Sequence, residues 1–170
     1  MKNFIKTLLV GIAFITISCQ GDPGPPGQDG VNILGSVFER TVDFTLSNDY
    51  SNLITFPSNI EVFESDVLLV YLLEDVIPDG QGGSIDVWSQ LPQTFFPTQG
   101  TLVYNYDHTF LDVRLFLGAD FDLNTLGSDF TNDQTFRIAI VPADFADTKM
   151  DMDSLLQTIN ISEENIINLN

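Results

Sequence analysis

The sequence predicts an all-β protein: an antiparallel β-sandwich of about seven strands, preceded by appendages and followed by a short C-terminal helical segment. Three observations carry that expectation. Apolar residues fall in short stretches separated by Gly, Pro and Asn-Asp turns at near-regular spacing. Several stretches alternate apolar with polar residues, the period of a half-buried strand. A hydrophobic content of 44%, with 14 phenylalanines, supplies a real core and argues against a disordered body. At 170 residues the chain holds one domain plus its appendages.

Residues 1–18 read MKNFIKTLLVGIAFITIS, with Lys2 and Lys6, an apolar run from Leu8 to Ile17, and small Ser18 before Cys19. That is the layout of a secretory signal, and the run is short for a bilayer-spanning helix. Cys19 is the single cysteine, so no internal disulfide forms. Thr16-Ile17-Ser18-Cys19 resembles the lipobox of bacterial lipoproteins, although leucine is commoner where Thr16 stands. The resemblance implies a diacylglycerol on the Cys19 sulfur, cleavage before it, and acylation of the new amino terminus. Each buried methylene would add roughly 0.8 kcal/mol to the anchoring. Gln20, in place of an inner-membrane aspartate, implies the outer membrane, and Asp22 is similar to the surface-export signals of Bacteroidetes.

Residues 19–34 form the expected tether. Gly21-Asp22-Pro23, Gly24-Pro25-Pro26, Gly27-Gln28-Asp29 and Gly30-Val31-Asn32 keep glycine at every third position, as a collagen helix requires. So short a tract favours an extended polyproline-like spacer, reaching roughly 35 Å at about 3 Å per residue. A trimerising stalk is the alternative.

The sandwich is expected over 35–149. Val37–Leu46 alternates, with Phe38, Val42, Phe44 and Leu46 on one face and Arg40 interrupting it near an edge. Leu53–Phe56 is a short strand closed by Pro57, and Val67–Leu73 is apolar throughout, as a strand buried on both faces is. Pro78–Gly83 is a loop. Ser84–Gln90, Leu102–Phe110, Asp112–Leu117 and Thr135–Val141 complete the strands. From 150 to 170 the alternation fades; Ser154–Ile159 predicts a helical turn or two, and the final residues another short helix or a frayed end.

Taken together, the lipobox cysteine, GDPGPPGQDG, VFERTVDF, LITFPSNIEVFESDVLLVYLLE, DVWSQLPQTFF and FRIAIVPADF resemble the short collagen-like lipoproteins of flavobacteria and other Bacteroidetes. The resemblance spans essentially the whole chain. It implies a compartment and an architecture, and no activity.

The formal charge is −18, and loss of residues 1–18 leaves Arg40, Arg114, Arg137 and Lys149 against 24 acids. Such a field repels phosphate backbones and excludes nucleic acid as a partner. His108 is the only histidine, and Asp107 and Thr109 point away from it across a strand. No serine triad or zinc site can be assembled around it. Paired carboxylates suit glycoside hydrolysis, but among so many acids a pair carries no specificity. Asp120, Asp122 and Asn124, with Asp129, place oxygen ligands as a calcium loop begins, yet Thr125 and Thr131 stand where its glycine and glutamate belong. Calcium is therefore the one cofactor the sequence suggests. Trp88, Phe95, Phe96, Tyr104 and Tyr106 offer either a sugar-stacking platform or core. Asp153-Ser154-Leu155 matches a short O-glycosylation pattern of Bacteroidetes at Ser154.

The expected function is that of a non-enzymatic cell-envelope lipoprotein, membrane-anchored through Cys19 and facing the periplasm or the cell surface. Its acidic sandwich would bind a protein or glycan partner. A structural role as a homotrimer joined through the triplets is the alternative, and hydrolysis of an extracellular polymer stands third.

Overall fold

Alternation builds the first strand and a polar turn ends it. The computed structural model describes residues 35–143, 151–159 and 161–169. β1 spans Ser36–Val42, not the longer Val37–Leu46 that the pattern suggests. Asn48 is the reason: its Oδ1 accepts from the Thr45 N–H at 2.8 Å and its Nδ2 donates to the Asp43 carbonyl. These bonds favour a 3-10 turn at Leu46–Asn48 over a continued ladder, and they leave Leu46 exposed.

β2 follows at Ser51–Thr55, and β3 runs for twelve residues, Val67–Pro78. β4 is Ser84–Gln90; the cis Leu91–Pro92 bond then turns the chain into the three-residue β5, Gln93–Phe95. β6 (Leu102–His108), β7 (Asp112–Ala119) and β8 (Gln134–Val141) complete the strands expected of the body. A helix, α1, covers Met152–Thr158, and β9 is the pair Ile167–Asn168.

Two sheets result. One has the order β4-β3-β8-β1-β9, the other β2-β7-β6-β5. Every pairing is antiparallel except that of β1 with β9. The fold is the all-β sandwich the sequence predicts. The described residues hold nine strands instead of about seven, because β5 and β9 are too short to carry an alternation.

Between the sheets lie Phe38, Val70, Leu102, Val113, Leu115 and Ile138, all without solvent exposure. Phe44 meets the rings of Tyr104 and Phe136 edge-on at 6.0 Å each, a geometry that aligns the positive ring edge with the negative face. A second cluster covers the opposite face of the first sheet, where Leu155, Leu156 and Ile159 pack on Val37, Leu69, Tyr71 and Val141. That layer explains why β3 reads as an unbroken apolar run from Val67 to Leu73 and why β8 is apolar from Ile138 to Val141: both faces are covered along those stretches. Asp151 caps α1, its carboxylate accepting from the Ser154 N–H at 2.9 Å.

Candidate functional site

One end of the sandwich carries a groove of about 220 Å³, framed by the β2–β3 connection and the β6–β7 hairpin. Its walls include Val62, Phe63, Glu64, Asp66, His108 and Phe110. The Phe63–Asp66 turn is closed from both ends: the Asp66 carboxylate accepts from the Phe63 N–H at 2.9 Å, and the Asp66 N–H donates to the Phe63 carbonyl. The hairpin is closed in the same way, with the Thr109 hydroxyl donating to Asp112 and accepting from the Leu111 N–H. These polar closures push apolar side chains outward, leaving Phe63 57% and Phe110 49% exposed, with Leu111 beside Phe110 in the turn. His108 lies against the Tyr106 ring, centroids 6.4 Å apart and nearly parallel.

This end escaped the sequence reading. Phe110 continues the alternation of β6 and so looks like a strand residue, whereas Thr109 and Asp112 turn the chain one step earlier. Phe63 sits among acids in a segment without periodicity.

A second groove, about 360 Å³, borders β4 and the start of α1, lined by Ser84, Ile85, Asp86, Trp88, Met152 and Asp153. Trp88 is seated on Arg137, whose guanidinium carbon lies 4.0 Å from the ring centroid. Arg137 is 2% exposed and donates from Nε and Nη2 to the Glu39 carboxylate at 3.0 and 2.8 Å.

The aromatic candidates therefore separate. Tyr104 is core, its hydroxyl donating to the Phe130 carbonyl at 2.6 Å, and burial pushes its phenol well above the usual range. Tyr106 is half-buried and donates to the Leu68 carbonyl, and Phe95 packs edge-on to Tyr104. Phe96 projects into solvent, and Trp88 keeps a wall of the β4 groove. Of the two readings, Tyr104 takes the core one, and Tyr106 spends its hydroxyl on the opposite sheet.

The calcium candidates are held by bonds within the fold. The Asp120 carboxylate accepts from the Thr101 N–H at 2.7 Å. The Asp122 carboxylate accepts from the Asn124 backbone and side-chain N–H groups, and these bonds hold it below the ordinary carboxylate range. The Asn124 side-chain oxygen accepts from the Tyr50 hydroxyl at 3.2 Å, and Asp129 lies exposed in the 3-10 turn Ser128–Phe130. Among the described residues no three His, Cys, Asp or Glu side chains converge as a metal site. Ser154 is exposed on the first turn of α1, its hydroxyl donating to the Asp151 carboxylate at 3.0 Å. Cys19, the signal and the glycine triplets lie outside the described residues.

Compared with known proteins, the chain matches no family model, no curated protein and no solved structure.

Proposed function

We propose that this chain is a non-enzymatic cell-envelope lipoprotein that presents an acidic β-sandwich to a protein or glycan partner. The exposed end groove is the observation that carries the binding role. Its two phenylalanines stand out in solvent on turns closed by their own hydrogen bonds, so the surface is pre-formed and little conformational freedom is lost on contact. Glu64 and Asp66 beside the rings set a polar rim around an apolar centre, the usual anatomy of a contact surface.

Screening the purified full-length protein in detergent against immobilised glycans and peptides tests this. A partner found in that way is expected to bind about tenfold more weakly when Phe63→Ala and Phe110→Ala are combined, with thermal unfolding unchanged. Unaltered affinity for every partner found would remove the groove from the reading. The anchor is tested separately: palmitate labelling is lost in Cys19→Ser, and persistent labelling refutes the lipid on that sulfur. The glycine spacing of the four triplets leaves the trimer as a second reading, for which light scattering should show a mass near three protomers that falls when 21–32 are deleted.

A further inference from the structure

The β3–β4 hairpin outgrows the sandwich. Beyond a bulge between Leu73 and Asp75 the strands stay paired from Asp75↔Val87 to Pro78↔Ser84. Yet β3 is exposed from Glu74 to Pro78, and β4 from Ser84 to Asp86. A two-stranded ribbon is marginally stable in water, and this one shows Val76 49%, Ile77 42% and Ile85 51% exposed. Ile77 and Ile85 are opposite each other and so share a face. On β4 that face also holds Val87 and Ser89, the latter opposite core residue Leu72 and donating to the Glu74 carboxylate, so the apolar pair of the arm lies on the core-facing side of the sheet beyond its cover.

Among the described residues β4 has a strand on one side only, so the backbone groups along its other edge form a template for another chain. The 360 Å³ groove borders the same strand and brings Asp153 toward Asp86. Charge decides the occupant. The arm carries Glu74, Asp75, Asp79 and Asp86 and no base. A second copy would add the same acids, and its described cations are engaged at home: Arg40 on the Leu169 carbonyl, Arg114 on Asp107, Arg137 on Glu39. A cationic partner gains where a second copy is repelled.

We propose that β4 takes a basic, extended segment of a partner protein as an added strand. Apolar residues of that strand lie on the face of Ile85 and Val87, and alternate lysines or arginines face Asp86 and Asp153. Main-chain bonds supply affinity and the alternation supplies selectivity. This inference stands apart from the end groove.

The test titrates the purified full-length protein with a peptide of alternating lysine and valine, and reads amide hydrogen exchange. Expected is slowed exchange at Ser84–Trp88, with the edges β2 and β5 unchanged. Asp86→Lys should weaken binding by about tenfold or more, and Ile85→Thr, which keeps a strand-forming residue, should weaken it with the circular dichroism unaltered. Phe63→Ala should leave it unchanged. Equal binding of an alternating glutamate–valine peptide would overturn the proposal, as would protection spread over the whole acidic surface. Concentration-dependent protection of β4 without peptide would assign the edge to a second copy instead.

Discussion

Arg137 joins two elements through one side chain: Glu39 on β1 takes its hydrogen bonds and Trp88 on β4 takes its flat face. Removing it leaves a shielded carboxylate without its cation, so Arg137→Ala should cost about 3 kcal/mol in urea unfolding. Arg137→Lys should recover only part, because an ammonium cannot stack and fork at once. Tyr71 gives a pH dependence of definite sign. Burial, helped by the negative charge of Asp151, raises its phenol to about 12, so the folded state favours the neutral form. That stability is complete below the ordinary tyrosine value of about 10 and is lost as pH rises toward 12. Urea unfolding should therefore show stability falling across that window, less so in Tyr71→Phe, and an equal fall in both proteins would contradict the assignment. Tyr104→Phe should cost about 1 kcal/mol, the value of its bond to the Phe130 carbonyl.

Among the elements, α1 holds on by its apolar side, with Leu155 fully buried. Leu155→Ala should cost about 2–4 kcal/mol by calorimetry. At the turn before β6, Gly100 has φ +150 and a side chain there would run into Asp120, whose carboxylate already accepts from Thr101. Gly100→Ala should lower stability by about 1–2 kcal/mol. The elements also show what could be read in advance. Val67–Leu73 was legible because a stretch covered on both faces must be apolar, whereas the continuation of β3 through Glu74 and Asp75 to Pro78 was not, because there the strand leaves its cover. β9 was not: it is held by ladder pairing with β1 and by the Leu169 N–H on the Glu39 carbonyl, and backbone bonds leave no side-chain pattern. The end groove was illegible for a related reason, since Phe63 is displayed by a turn that closes on Asp66, and hydropathy alone cannot tell a displayed phenylalanine from a buried one.

For the whole molecule, charge sets two opposing trends. Hydrogen bonds hold Asp79, Asp107, Asp122 and Asp151 below the ordinary carboxylate range. Their contribution is present above about pH 4 and is lost as pH falls through the lowered values. Self-repulsion from a charge of −18 works the other way and is strongest at neutral pH. Salt should consequently raise the melting temperature at pH 7 and have little effect near pH 4, where the charge has shrunk; equal effects at both would show that repulsion is unimportant. The same β1 that pairs with β8 over seven residue pairs is flanked by β9 on its other side. A pull on the chain ahead of Ser36 therefore runs along the strand and loads the ladder in shear, with its bonds sharing the force instead of opening one by one. Stretched between its leading end and the hairpin tip at Gly82, the molecule should yield at a higher force than one lacking residues 167–169, a difference that single-molecule pulling can read. If so, residues 167–169 would be a mechanical clasp on β1, the strand through which a tether would tug.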